Sequence, residues 1–182
     1  TGFPVRVAES GGLAPPVLIA DLGTGGKMRG GAQPLHMVVA SYEGRLLAYD
    51  GRGAESASFD IGEHVYARPL AGDFDGDGLD DVIVGAPYHD EASEDDGRAY
   101  IVFGDASGEV DLSSADVIFT GYSGNDFAGY SVAGLGDWDG DGLDDVAIGA
   151  TQAGVYVVAG GSSGALIPSE SYARIAGGNY SV

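Results

Sequence analysis

Asp73-Phe74-Asp75-Gly76-Asp77-Gly78-Leu79-Asp80-Asp81 recurs almost unchanged as Asp137-Trp138-Asp139-Gly140-Asp141-Gly142-Leu143-Asp144-Asp145. Each stretch sets carboxylates at positions 1, 3, 5 and 9 of a glycine-bearing loop. Acids this close repel one another unless a cation lies among them. Hard oxygen ligands on a flexible loop favour Ca2+ over zinc or copper, which look for His and Cys. Glycines at the fourth and sixth positions permit the positive φ that so tight a turn requires. An EF-hand would need Glu at position 12, where Val84 and Ile148 stand inside apolar runs. The bland reading, an Asx-rich turn that binds nothing, leaves five acids per loop, twice, without a purpose.

The flanks of the two loops align as well. Val65–Gly72 and Gly129–Gly136 lead in, and Val82–Ala86 and Val146–Ala150 lead out. Short β-branched runs on both sides make each loop the turn of a hairpin. Third strands are expected at Arg98–Phe103 and Val155–Ala159, and fourth strands at Val117–Thr120 and Ala173–Ala176. An N-terminal unit has the same order without the acids. Its strands are expected at Val17–Asp21, Met37–Ser41, Gly44–Asp50 and Ala57–Ile61, and the Gly-rich stretch Leu22–Leu35 replaces the loop. That unit keeps Asp21 alone, so no calcium is expected there. No apolar stripe of helical spacing survives the glycines and turns.

Four short strands per repeated unit argue for an all-β chain of β-propeller-type blades, each of four antiparallel strands, about three blades in all. A β-sandwich of hairpins is the alternative, but it would not need the same turn chemistry at matching positions. The units expected are 1–12, the last strand of a neighbouring blade; 13–62, a degenerate blade; 63–122 and 123–178, blades with calcium loops; and 179–182, the start of a further blade. Phe3–Val7 reads as a fourth strand without its blade, and Tyr180-Ser181-Val182 repeats Tyr130-Ser131-Val132. Three open blades would leave strand edges unpaired. Other blades, or copies of the chain, are therefore expected to complete them.

Phe127-Ala128-Gly129-Tyr130-Ser131-Val132, the loop that follows, and Val146–Ala150 together resemble an FG-GAP repeat of integrin alpha-chain propellers, with Gly85-Ala86-Pro87 as the matching motif of the preceding unit. The first unit is similar to the related VCBS-type repeats. The resemblance implies a β-propeller with Ca2+ in the loop between the first two strands of a blade, hence two calcium sites. The implied ligands are Asp73, Asp75, Asp77 and Asp81 with the Leu79 carbonyl, then Asp137, Asp139, Asp141 and Asp145 with the Leu143 carbonyl.

Composition bounds the rest. The 182 residues carry a formal charge of -20, and half of the twenty Asp lie in the two loops. The remaining acid, with no basic patch opposing it, argues against nucleic acid and anionic membranes as partners. A 44% apolar content supports a core, so the acidity does not imply disorder. One Lys beside seven Arg also fits a protein kept soluble in high salt. The chain has no Cys, which excludes disulfides and thiolate sites. No apolar run is long enough to insert in a bilayer.

Several motifs imitate chemistry. Gly160-Gly161-Ser162-Ser163-Gly164 fits a hydrolase elbow, but no helix follows and a turn explains it. Gly25-Gly26-Lys27 lacks the rest of a phosphate loop. His36, His64 and His89 stand apart and are expected at surface or turn positions. His89–Asp96 could hold another cation but reads more simply as a solvated insertion. Asn179-Tyr180-Ser181 matches a glycosylation site where a strand should begin. With no nucleophile and base converging, the expected function is a non-catalytic, calcium-stapled module, extracellular or at the cell surface, for adhesion or assembly. A protein or glycan is a candidate ligand. One alternative is a filament subunit joined through Phe3–Val7 and Tyr180–Val182. Another is a carbohydrate-binding or enzymatic propeller, with Tyr42, Tyr88, Tyr122, Trp138 and Arg98 as a sugar surface.

Overall fold

The β-branched runs form fourteen short strands in a computed structural model that describes residues 13–20, 22, 36–41, 44–60, 65, 68–90, 94–104, 108–171 and 173–175. In chain order they are β1 (Leu13–Ala20), β2 (His36–Ser41), β3 (Arg45–Tyr49), β4 (Glu55–Asp60), β5 (Leu70–Gly72), β6 (Asp81–Ala86) and β7 (Arg98–Val102). Then follow β8 (Gly108–Asp111), β9 (Val117–Thr120), β10 (Ser131–Gly136), β11 (Asp145–Ala150), β12 (Gly154–Val158), β13 (Gly164–Leu166) and β14 (Ala173–Ile175). The only helices among the described residues are two short 3-10 helices, Leu112–Ser114 and Pro168–Glu170. The fold is all-β and propeller-like: β1–β4, β5–β6–β7–β9 and β10–β11–β12–β14 each form an antiparallel four-stranded blade.

Two blades hold a fifth strand that the pattern of residues did not disclose. β8 pairs in parallel with β4, and β13 pairs in parallel with β9. Each comes from the connection between the third and fourth strands of the following blade. The Gly160–Gly164 turn therefore ends in a strand, with Gly164 as its first residue. In the first blade the corresponding connection is only the turn at Asp50, whose carboxylate accepts the amides of Arg52 (2.8 Å) and Ala54 (2.9 Å).

Packing between blades explains the residue patterns. All six residues of β6 are buried, because the middle blade has a neighbour on each face; a continuous apolar run replaces alternation. One of its faces (Val82, Val84, Tyr100) packs with Val38, Leu46 and Phe59 of the first blade. The other (Ile83, Ile101, Phe119) packs with Val146, Ile148 and Tyr156 of the third. Glycines let the blades meet backbone to backbone. A Cβ at Gly85 would run into the Gly129 carbonyl, and one at Gly129 (φ +84°) would strike the Arg98 carbonyl.

Boundaries shift where local chemistry intervenes. β1 starts at Leu13, ahead of the expected Val17, and its pairing jumps from Leu13↔Ser41 to Val17↔Val39. The jump accommodates Pro15 and Pro16, which have no amide to offer a ladder. The strands entering the two loops begin at Leu70 and Ser131, later than their sequences suggested. His36 is fully buried at the start of β2, not at a surface or turn position. Asp96 is fully buried as well, and the Asp96 carbonyl accepts the Ala128 amide (3.1 Å), so this part of His89–Asp96 is no solvated insertion. Phe3–Val7, Tyr42, His64, Asn179 and Tyr180–Val182 lie outside the described residues, as do Gly25-Gly26-Lys27 and nearly all of Leu22–Leu35.

Candidate metal centres

Both acidic loops are held open by their own carboxylates. In the first, Asp73 accepts the amides of Gly76 (2.9 Å) and Gly78 (3.0 Å), Asp75 that of Asp77 (3.0 Å), and Asp77 that of Leu79 (2.8 Å). In the second, Asp137 accepts Gly140 (2.7 Å), Asp139 accepts Asp141 (3.1 Å), and Asp141 accepts Leu143 (2.9 Å). These nested Asx turns use the local bonding at which Asp excels. Gly76, Gly78, Gly140 and Gly142 all adopt positive φ, as the spacing requires.

The ninth acid of each loop is the first residue of the outgoing strand and is fully buried. Asp81 accepts the Phe74 amide (2.8 Å) on one oxygen and the Gly104 amide (2.7 Å) on the other. Asp145 accepts Trp138 (2.8 Å) and Asp139 (3.2 Å) on one oxygen and Gly160 (2.8 Å) on the other. Each thus clamps the start of its loop to the glycine that follows the third strand. Sequence reasoning missed Gly104 and Gly160. Their signal was their matching position after that strand, where a Cβ would press on Leu79 or Leu143.

Oxygens of Asp73, Asp75 and Asp81 lie within 4.8 Å of one another, as do those of Asp137, Asp139 and Asp145. Asp77 and Asp141 stand outside these groups, on the exposed rim of the loops. Among the described residues, these two are the acidic groupings that could hold a metal ion. Burial pushes the Asp81 carboxyl up to about 6, and the Asp75 charge adds to it, against the pull of the Gly104 and Phe74 amides. Asp139 is raised as well, by desolvation first and then by the charges of Asp141, Asp145 and Asp137. Crowded, partly desolvated carboxylates with no nitrogen or sulfur donor among them suit a hard divalent cation.

The two loops touch. Asp144, at the eighth position, points away from its own cluster and lies 3.2 Å from where a Cβ on Gly72 would stand; its amide donates to the Asp73 carbonyl (3.3 Å). Leu143 lies over Gly76, where a Cβ would come within 2.6 Å of its Cδ2. Of the aromatic residues considered as a sugar surface, Tyr88, Tyr122 and Trp138 are exposed, but Tyr88 stacks edge-on with Phe127 at 5.6 Å. Arg98 donates to Thr120 (3.1 Å) in the second blade.

A family profile described as FG-GAP repeat matches residues 66–102, which contain the first acidic loop. Integrin alpha-4 of Xenopus laevis is 34% identical over 120 residues, covering 60% of this chain and 11% of the relative. Integrin alpha-PS2 of Drosophila melanogaster is 37% identical over 117 residues, 58% of this chain and 8% of the relative. Integrin alpha-5 of Xenopus laevis is 37% identical over 111 residues, 58% and 10% respectively. The chain thus spans about a tenth of the length of the relatives it matches. Residues 66–102 match an FG-GAP repeat, and the chain is similar to integrin alpha chains over about 60% of its length.

Proposed function

We propose that the chain is a non-catalytic, calcium-stapled β-propeller module, extracellular or at the cell surface, that serves adhesion or protein–protein assembly. The pair of carboxylate clusters at equivalent hairpins carries this reading. Asp73, Asp75, Asp77 and Asp81 with the Leu79 carbonyl would hold one Ca2+, and Asp137, Asp139, Asp141 and Asp145 with the Leu143 carbonyl the other. A bound dication neutralises acids that otherwise repel, and so fixes the turn between the first two strands of a blade. The protein's own share is preorganisation: the Asx turns shape each loop, and Asp81 and Asp145 tie it to the third strand. Extracellular calcium modules bind at about 10⁻⁴–10⁻³ M, which at millimolar Ca2+ stabilises by roughly 0.4–1.4 kcal/mol per site.

The relatives are integrin alpha chains, and that likeness supports the adhesive role and the surface location. No described helix is long and apolar enough to cross a membrane. Other blades, or copies of the chain, are the proposed structural partners, with a protein or glycan as ligand. The test is thermal melting in chelator, in Ca2+ and in Mg2+ alone. Tm should fall with chelator and recover with Ca2+ but not with Mg2+; an unchanged curve in chelator rejects the reading.

A further inference from the structure

The edges of the blades are not equivalent. The outer strand of the first blade is covered by β8 with Ala57↔Gly108, Ser58↔Glu109 and Phe59↔Val110 in register. That of the second is covered by β13 with Val117↔Gly164, Ile118↔Ala165 and Phe119↔Leu166. Both covering strands begin with Gly, place an aliphatic residue third, and run into a 3-10 helix. Within the blades, Phe59 faces Leu46, Phe119 faces Ala99 and Ile175 faces Val155, so the three occupy the same place. Phe59 and Phe119 are each 1% exposed, whereas Ile175 is 60% exposed. Among the described residues, no strand covers the outer edge of β14.

We propose that the outer edge of β14 is an acceptor for one more parallel strand, of pattern Gly-acidic-aliphatic, supplied by the third-to-fourth-strand connection of a further repeat of this kind. The two covered edges supply the register: Gly opposite Ala173, the second residue opposite Arg174, the aliphatic opposite Ile175. Charge decides between the two donor types that the chain itself contains. Arg174 is exposed, with its guanidinium 5.6 Å over the Tyr156 ring and its Nε donating to the Ala153 carbonyl (3.1 Å). A carboxylate at the second position, as in Gly108-Glu109-Val110, would stand opposite Arg174 in this register; Ala165 of the other donor brings no charge. Strand addition draws its affinity from main-chain bonds and its specificity from cross-strand side chains such as pairs of opposite charge.

This inference rests on reading the chain as an array of blades, and its test is separate from the acidic loops. A synthetic peptide of sequence Gly-Glu-Val-Asp-Leu-Ser-Ser is titrated into the full chain, and backbone amide shifts are followed by NMR. The expected result is saturable shifts at Ala173–Ile175. Binding should be roughly 2–5-fold weaker for Gly-Ala-Leu-Ile-Pro-Ser-Glu or for Arg174→Glu, and lost for Ile175→Asp, an exposed position that leaves the fold intact. Absence of shifts in this strand at about 5 mM peptide, or shifts indifferent to both substitutions, overturns the proposal. Calcium-dependent melting of the same sample reports on the module reading by itself.

Discussion

The amide of Gly161, just past the third strand of one blade, donates to the carbonyl of Phe74 in the acidic loop of the blade before it, at 2.6 Å. With the Asp144–Asp73 bond and Leu143 lying over Gly76, this joins the two loops into one hydrogen-bonded and packed unit. Ordering one loop therefore prepares the other. Trp138, the single Trp, sits in the second loop and can sensitise bound Tb3+ there. Asp75→Asn, confined to the first loop, should weaken Tb3+ binding read through Trp138 by about 5-fold or more, a coupling of roughly 1 kcal/mol. An unchanged Trp-sensitised titration would show the loops to be independent.

Removal of a buried clamp should cost more than removal of a carboxylate on the exposed rim. Asp81→Ala leaves the Phe74 and Gly104 amides without their acceptor and should destabilise the chain by about 2–4 kcal/mol even in chelator. Asp77→Ala, on the exposed rim, should cost under about 1 kcal/mol in chelator and show its effect only with Ca2+ present. Denaturant unfolding with and without Ca2+ separates the two.

The blade contacts at glycine offer a steric test. Gly85→Ala pushes a methyl into the Gly129 backbone, which has no flexible side chain to move aside, and should cost about 3 kcal/mol or more. Gly164→Ala faces open space, so only its φ of +80° is penalised, by about 1–2 kcal/mol. Equal losses for the two in thermal melts would contradict the close approach.

Proton binding supplies a further signature, in metal-free protein. The Asp81 carboxyl is raised from 3.8 to about 6 on folding, first by burial. The folded chain therefore holds this proton more tightly, and its contribution is present below about 4 and lost as pH rises through 6, on the order of 3 kcal/mol at most. Asp81→Asn should flatten this decline between about pH 4 and 6 in chelator. A stability profile identical to that of the unsubstituted chain would refute it.

The acidic loops were legible because their chemistry is local: nine consecutive residues carry the acids and the glycines that turn them inward. The antiparallel blades were legible because each flank repeats. β8 and β13 were not, since Gly-Glu-Val-Asp and Gly-Ala-Leu are too short to announce strands, and their partners lie about fifty residues away. His36 was misjudged for a related reason. Its burial comes from tertiary packing at the start of β2, which a lone polar residue before an apolar run does not advertise. The roles of Gly104 and Gly160 depended on seeing which carboxylate reached them.

The backward-reaching strands have a consequence for biosynthesis. β4 cannot be sealed until β8 has been made, nor β9 until β13 emerges, about fifty residues later in each case. At translation speeds of about 5–20 residues per second, each finished blade waits roughly 2–10 s with a bare rim. During that interval the nascent chain is open to mispairing, and slower elongation between Thr120 and Gly164 would prolong the vulnerable period of the second blade.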